Sequence, residues 1–270
     1  MAEVPEVETI VRDLRAAMVG REILAAEVLL AAALRFPEPG EFAARMAGRV
    51  VLGAERRAKH ILLPLSGDLT LAIHFMLWGT LLLVPAGHRR PAETLIVFRL
   101  DREQELLFLD KLGYARAALG TQEEIVARLD LDSLGPDALD PSFDADVLAR
   151  QLGKRRGALK PVLLNQHVLA GLGNRDADES MWLAEIDPRR TPASLDRDEI
   201  QRLHDAICQV LEEGLALRGT QADLFGRPGR AKHRRNIFER TGQPCPRCGT
   251  PITHLRLGGR NTHYCPQCQR

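Results

Sequence analysis

Aromatic residues are scarce in this chain, and apolar runs long enough to cross a membrane are missing. Phe, Trp and Tyr make up only 4% of its 270 residues. Apolar runs such as Ile61–Leu65 and Leu81–Val84 have the size of strands, far below the roughly 20 residues that a bilayer span needs. The amino terminus also lacks the basic and then apolar pattern of a secretory signal peptide. We therefore expect a cytosolic protein whose thiols are reduced.

Charge is balanced overall but unevenly distributed along the chain. The formal net charge is +1, whereas the segment 226–270 holds ten Arg and Lys against a single acid, Glu239. This segment thus carries +9, and the rest of the chain carries −8. A basic segment on an acidic body is typical of a phosphate-binding surface, with a solvated, flexible tail as the alternative interpretation.

Four cysteines with regular spacing lie in this basic segment. The pattern is C-x2-C-x16-C-x2-C, formed by Cys245, Cys248, Cys265 and Cys268. Each pair can place two thiolates on one ion, and the two pairs complete a tetrahedron, so the spacing favours one structural zinc ion over disulfides. The glycine pair at 258 and 259 predicts a hairpin between the cysteine pairs, from which Arg260 would project toward a phosphate.

Short apolar and β-branched runs, separated by turn residues, dominate the first half of the chain. After a helix that ends before Gly20, strands are predicted at Ile23–Leu30, Arg49–Gly53, His60–Leu65, Leu69–Phe75, Thr80–Val84, Thr94–Leu100 and Leu106–Leu109. That spacing indicates a β-sandwich or a barrel. From Phe143 onward the pattern becomes helical, most clearly in the helix that follows the capping residue Asp196. We expect the boundary within Leu134–Pro141.

A glycine-rich segment, Gly171-Leu172-Gly173-Asn174, separates two of the helical patterns. By itself such a segment most often marks only a turn. Its functional interpretation is a loop whose backbone N–H groups and Asn174 side chain bind a phosphate, with Lys160 upstream as a further cation.

Three segments, taken in order, resemble the formamidopyrimidine-DNA glycosylase and endonuclease VIII family. They are Ala2–Thr9 (P-E-L-P-E-V-E-T in the family), Gln166–Glu179 (Q-x-x-x-A-G-x-G-N-x-Y-x-x-E) and the four-cysteine hairpin Cys245–Cys268. The resemblance covers nearly the whole chain. It implies an α+β multidomain protein with an N-terminal β-sandwich catalytic domain and flanking helix (1–134), a helix–two-turn–helix domain (135–225), and a basic linker with a zinc finger (226–270).

The resemblance also implies a reaction and a partner. The family removes oxidised bases from damaged DNA in base-excision repair and cleaves the abasic site as a lyase, acting as a monomer in the bacterial cytosol or nucleoid. Its nucleophile is the amine exposed when Met1 is removed, a proline in most members and Ala2 here. Because α-amino groups have a pKa of about 7.7–8.0, a useful fraction is uncharged at neutral pH. Glu3 matches the acid that protonates the sugar or shuttles a proton during base loss.

Further residues match the family by position. Lys59 corresponds to a hairpin lysine that contacts DNA near the lesion, with an ordinary surface lysine as the alternative. Glu6 is either a supporting catalytic group or a residue that orders the first helix. The loop that covers the flipped base is expected within Gly219–Arg235. The expected DNA-binding residues are Lys160, Asn174, Arg260, Leu77 and Tyr114.

The chain departs from the family at positions that would face the lesion. Leu77 stands where the family has a methionine wedge, which fills the gap left by a flipped base. Where the family reads D-P-R-R-F, this chain keeps the aromatic residue at Tyr114 but has Leu112 and Gly113 in place of both arginines.

Two other classes of function fit parts of the sequence. A non-catalytic paralogue that binds damaged or abasic DNA would keep Asn174, Arg260 and the zinc site. The changes from the family pattern favour this paralogue, and they lie at Ala2, Leu112, Gly113 and Asp176. Retention of Glu3, Glu6 and Lys59 favours the enzyme, because pure DNA binding has less need of paired carboxylates that face a polyanion. A zinc-ribbon module of transcription or translation would explain the cysteines but not the opening motif.

Loss of both arginines predicts weak discrimination of the base opposite the lesion, since one of them reads that base in the family. It also predicts a preference for single-stranded or otherwise opened DNA. Turnover of one damaged base placed opposite each of the four bases measures this property. We expect similar rates, and strong selectivity for one opposite base would contradict the prediction.

Overall fold

The chain divides into two compact units in the computed structural model, which describes residues 2–153 and 155–270. The first unit extends to Asp132 and also includes Arg218–Gly229. The second comprises Ser133–Leu217 and Arg230–Arg270. The first boundary lies close to the predicted one at 134/135. The second differs, because residues 218–229 return to the first unit while 230–270 join the helical segment.

The first unit is a β-sandwich of two five-stranded sheets. Its strands are β1 (Glu22–Val28), β2 (Leu34–Phe36), β3 (Arg49–Val50), β4 (Glu55–Arg57), β5 (His60–Leu65), β6 (Leu69–His74), β7 (Thr80–Pro85), β8 (Thr94–Leu100), β9 (Gln104–Leu109) and β10 (Arg116–Gly120). The strand orders are β3-β1-β8-β9-β7 and β2-β10-β6-β5-β4. Paired strands are antiparallel except β2 and β10. Of the two architectures that the strand spacing allowed, the sandwich is the one observed.

Helix packing completes the core of the first unit. Its helices are α1 (Val4–Met18), α2 (Pro39–Met46) and α3 (Gln122–Arg128). Pro5 occupies the first turn of α1, where its missing N–H costs nothing, and the apolar stripe of that helix is buried against the sandwich. Phe42, Phe98 and Phe108 are the largest fully buried aromatic side chains. Each stabilises the unit by roughly 1.5–3 kcal/mol.

The second unit consists of helices and one hairpin. Its elements are α4 (Ala145–Leu152), α5 (Leu159–Leu163), α6 (Asn174–Leu183), α7 (Arg197–Ala216), β11 (Thr253–Leu257) and β12 (Arg260–Tyr264). The predicted capping box is confirmed, because Asp196 accepts the Glu199 N–H and Glu199 accepts the Asp196 N–H. The predicted glycine turn is confirmed as well, since Gly258 and Gly259 have φ of 53° and 78°. A Cβ at Gly258 would lie 3.0 Å from Pro161 Cγ, a tight contact, and the positive φ by itself strains any other residue there.

Two strands begin and end where the sequence predicts. His60–Leu65 and Thr94–Leu100 match their predicted bounds, whereas the strand predicted at Arg49–Gly53 shortens to Arg49–Val50. Three observed strands were not predicted, because β2 and β4 are very short and β10 is rich in alanine, which is typical of helices. None of the described helices has the length and apolarity that crossing a bilayer demands.

Candidate active site

The start of α1 holds the two residues expected to perform the chemistry. Ala2 and Glu3 are 3% and 2% exposed. Glu3 is extended, with φ of −114°, and its N–H donates to Glu6 Oε2 at 2.9 Å while its carbonyl accepts the Val7 N–H at 3.1 Å. These bonds fix the backbone just before the helix. Met1, whose removal would expose the amine, lies outside the described residues.

Glu6 clamps a distant loop to this helix end. Its Oε1 accepts the Thr220 N–H at 2.7 Å and the Thr220 hydroxyl at 2.8 Å. Gly219 has φ of +67°, and a Cβ there would lie 2.8 Å from Glu6 Cγ, so the contact requires glycine. The geometry gives Glu6 an ordering role. Its supporting part in catalysis stays a prediction.

Asp223 organises the remainder of that loop. Its buried carboxylate accepts the N–H groups of Phe225 at 2.9 Å and Arg227 at 3.0 Å, and it pairs with the guanidinium groups of Arg218 and Arg227. Burial opposes ionisation of Asp223, but these hydrogen bonds outweigh it and lower the pKa of the carboxyl below its usual range. Residues 219–229, which lie within the predicted lesion-covering segment Gly219–Arg235, therefore form an ordered loop.

Lys59 lies in the two-residue turn between β4 and β5, where Ala58 has φ of 54°. Two contacts fasten this hairpin to α1. Arg56 Nε pairs with Glu8 at 2.9 Å, with both side chains largely buried, and Arg15 donates to the Ala54 carbonyl at 2.8 Å. One helix thus positions both the amino-terminal acid and the lysine hairpin.

Two partly buried histidines face each other beside the lysine turn. His60 and His74 are cross-strand partners on β5 and β6, with ring centroids 4.6 Å apart. Burial, assisted by nearby cations that include Lys59 for His74, lowers the pKa of His60 to about 4 and that of His74 to about 3. Unprotonated His74 Nδ1 can therefore accept the Met76 N–H at 3.0 Å, at the start of the loop that carries Leu77.

A second loop near this end of the sandwich is organised by Asp110. Its carboxylate accepts the N–H groups of Leu112 at 3.0 Å, Tyr114 at 2.7 Å and Ala115 at 2.8 Å. The loop presents Leu112 and Tyr114 to solvent, and the preceding loop presents Leu77. Both predicted apolar DNA contacts, Leu77 and Tyr114, are therefore accessible.

In the second unit, the glycine-rich segment leads into α6 as a shaped loop. Gln166 Oε1 accepts the Gly171 N–H at 2.9 Å, and its amide donates to the Leu164 and Leu172 carbonyls. Gly171 has φ of +94°. Asn174 follows as the first residue of α6, and its amide donates to the Asn261 carbonyl at 3.1 Å. This bond joins the predicted phosphate loop to the zinc hairpin.

Lys160 is fully buried and reaches the same carbonyl. Its ammonium donates to Asn261 O at 2.7 Å and pairs with Asp178 Oδ1 at 2.6 Å. Asp178 also accepts the backbone N–H of His263 at 2.9 Å and contacts its ring. What the structure shows for Lys160 is a bond that holds the hairpin bearing exposed Arg260. A direct phosphate contact by Lys160 stays a prediction.

Glu179 holds the segment that leads to the cysteines. Its carboxylate accepts the backbone N–H groups of Asn236, Ile237 and Phe238 at 2.9–3.1 Å, as well as the Asn236 side-chain amide. These are charge-assisted hydrogen bonds in a buried site, so the segment is firmly attached to α6.

The four cysteine sulfurs lie within 4.8 Å of one another. Cys245 and Cys268 Sγ are 3.9 Å apart, and Cys248 and Cys265 Sγ are 3.5 Å apart. These separations are close to the roughly 3.8 Å between sulfurs on a tetrahedral zinc ion and far above a disulfide bond. The Trp182 indole N–H donates to Cys245 Sγ at 3.4 Å, as suits a thiolate. The donor set fits structural zinc, with no position left for substrate.

Comparison with known proteins covers both units. Residues 1–117 match the formamidopyrimidine-DNA glycosylase N-terminal domain, 134–225 the H2TH domain of those enzymes, and 242–270 a zinc finger found in FPG and IleRS. The formamidopyrimidine-DNA glycosylase of Moorella thermoacetica is 42% identical over 95% of both chains. That of Pelotomaculum thermopropionicum is 38% identical over 100% of this chain and 99% of its own. The chain belongs to the formamidopyrimidine-DNA glycosylase family.

Solved structures agree with the family assignment. The Lactococcus lactis Fpg bound to abasic-site DNA matches the full length of both chains, with a TM-score of 0.93 and 28% sequence identity. The β-sandwich, the H2TH domain and the zinc-finger hairpin expected of the family are confirmed, and so is the structural zinc site. The roles of the individual site residues stay predictions.

Four important acids were not identified as such from the sequence. They are Asp110, Asp178, Asp223 and Glu179. Asp110 and Glu179 occupy motif positions that this chain shares with the family, but the motifs do not reveal that these acids hold backbone N–H groups. Asp223 lies in a turn before Gly226, and acids are common in ordinary turns. The partners of Asp178 and Glu179 are distant along the chain, beyond the reach of any local pattern.

Acid should destabilise the first unit through the histidine pair. Between pH 6.5 and about 4, His60 and His74 bind protons in the unfolded chain but not in the folded one. The free energy of unfolding therefore decreases as the pH is lowered through this range. We expect His60→Gln to flatten this slope, measured by denaturant unfolding from pH 7.5 to 4.5. Replacing the exposed His88 by Gln should leave the slope at its wild-type value. An unchanged slope in the His60 variant would contradict the account.

Proposed function

We propose that this chain excises bases through the α-amine of Ala2, with Glu3 as the proton-transferring acid. As a member of its family, the chain is a base-excision-repair DNA glycosylase, and abasic-site lyase activity is typical of that family. The observation that carries the proposal is the buried Ala2–Glu3 pair held at the start of α1. Nucleophile and acid adjoin in the chain and share one fixed backbone.

The chemistry of this pair accounts for base loss. The uncharged amine attacks C1′ of the damaged nucleoside, forming an N–C1′ bond while the bond to the base breaks, and the base leaves with the proton that the attacking nitrogen releases. Opening of the sugar ring converts the adduct to an imine, and Glu3 protonates the ring oxygen as its bond to C1′ breaks. A primary amine supports each of these steps as a proline does, so Ala2 retains the capacity for the reaction.

Lys59 and the second unit supply contacts for the DNA backbone in this proposal. Lys59 projects from a hairpin that is tied to α1. Asn174 and Arg260 lie on neighbouring elements joined through Asn261, with Arg260 exposed at the hairpin turn. Cations on firmly held loops suit phosphate binding, which needs position more than sequence readout.

The proposed substrate is damaged DNA, including DNA with an abasic site. The matching Lactococcus lactis structures are described as complexes with abasic-site DNA and with DNA containing an oxidised pyrimidine. In this chain Leu77 and Tyr114 are exposed on ordered loops, where they can fill the gap left by a flipped base. We place this activity in the bacterial cytosol, with a monomer as the acting form.

Replacement of Glu3 by Gln should separate the two halves of the reaction. Base excision depends on proton transfer by Glu3, so its single-turnover rate should fall by about 10²–10⁴-fold. Cleavage of a preformed abasic site should fall much less, because its sugar exists in part as an open-chain aldehyde, which the amine converts to the imine without protonation of the ring oxygen. Oligonucleotides carrying an oxidised base or an abasic site measure the two rates.

The matched control is Glu123→Gln, an exposed acid on α3. It should leave both rates at the wild-type value. Equal loss of both activities in the Glu3 variant would contradict the assigned role, and so would full retention of base excision.

A further inference from the structure

An open groove lies in the first unit between the loop after β6 and the loop after β9. Its volume is about 360 Å³, within the range of about 300–1,000 Å³ typical of small-molecule sites. Trp78 and Leu112 form its apolar walls, and Thr80, Glu93 and Lys111 contribute polar groups. None of the residues proposed for catalysis or phosphate binding lines it.

The two apolar walls are unusually exposed for their size. Trp78 is 56% exposed and Leu112 is 50% exposed, whereas Trp182, the other tryptophan, is 8% exposed. Exposed large apolar side chains that adjoin one another mark binding surfaces more often than singly scattered ones do. Trp78 follows Leu77 directly and Leu112 lies two residues before Tyr114, so the groove continues the surface proposed to enter the DNA.

Both loops have ordered backbones. Asp110 accepts the Leu112 N–H, and the Gly79 N–H donates to the Phe75 carbonyl at 2.8 Å across the loop that carries Trp78. A Cβ at Gly79 would lie 2.6 Å from that same carbonyl oxygen, so the tight turn beneath Trp78 requires glycine. The indole is thus presented on a fixed turn, which reduces the entropy lost when a ligand stacks on it.

We propose that this groove holds the unpaired nucleobase left opposite the lesion, stacked on Trp78 and packed against Leu112. The inference rests on the proposed function, because base flipping is what leaves that nucleobase without a partner. A nucleobase has two apolar faces and a polar edge, which match the apolar walls and the polar groups of Thr80, Glu93 and Lys111.

Stacking also fits the replacement of both arginines. Aromatic stacking tolerates any base, because every base has a π-face, whereas an arginine reads particular acceptors. A planar ring of one nucleotide suits the size of the groove, while a stable protein partner needs an interface of about 1,000 Å² or more. The groove therefore holds the opposite strand without reading which base it carries.

Equilibrium binding to two duplexes tests the proposal. Both carry a tetrahydrofuran abasic analogue, opposite deoxyadenosine in one and opposite a second tetrahydrofuran in the other. Trp78→Ala should weaken binding to the first duplex by about tenfold, the size expected of one lost base stack, and leave binding to the second nearly unchanged. Trp78→Phe should recover most of the affinity.

Leu52→Ala is the matched control, since Leu52 is a 58% exposed leucine of the same unit outside the groove. It should bind both duplexes as the wild type does. As a second readout, 2-aminopurine opposite the tetrahydrofuran should be quenched on binding wild-type protein and remain bright with Trp78→Ala.

The remaining outcomes separate this inference from the proposed function. Equal weakening of both duplexes by Trp78→Ala would overturn it, because Trp78 would then contact DNA without regard to the orphan base. No weakening of either duplex, with 2-aminopurine unquenched by the wild type, would overturn it while leaving excision through Ala2 intact. Failure of the wild type to bind either duplex would overturn both proposals.

Discussion

Buried carboxylates that accept backbone N–H groups are the interaction on which the functional loops depend. Asp110 holds the loop of Leu112 and Tyr114, Asp223 holds residues 223–227, and Glu179 holds the segment before the cysteines. Hydrogen bonds to a charged group contribute roughly 1.5–3 kcal/mol each, and a buried carboxylate without them would be severely destabilising. Each loop is therefore expected to fold cooperatively, because opening it would break all the hydrogen bonds to its carboxylate together.

This arrangement also reconciles an acidic body with a polyanionic partner. Several of the negative charges are enclosed by N–H groups or cations, as when Asp178 pairs with buried Lys160 and Asp223 with Arg218. The basic residues of 226–270 are distributed over the zinc hairpin and its approach, with Arg260 exposed. The acids therefore shape the loops, while exposed cations are left to attract phosphate.

Local patterns predicted much of this molecule, and long-range contacts account for what they missed. The zinc site could be predicted because two cysteine pairs and a glycine turn encode it within one short segment. Strand β5 could be predicted because its apolar run is bounded by turns. The return of 218–229 to the first unit could not, since it depends on Glu6 near the amino terminus contacting Thr220 in a distant part of the chain. The burial of Lys160 could not be predicted either, because no local sequence pattern indicates that Asp178 is its partner.

The central claim is that the amine of Ala2 is the nucleophile. Borohydride trapping on an abasic-site oligonucleotide tests it directly, with protein whose mass shows that Met1 has been removed. We predict a covalent adduct that maps to Ala2 by peptide mass and disappears when the amine is blocked. Tight binding of the same oligonucleotide without any adduct would contradict the claim and would leave a protein that binds damaged DNA without cutting it.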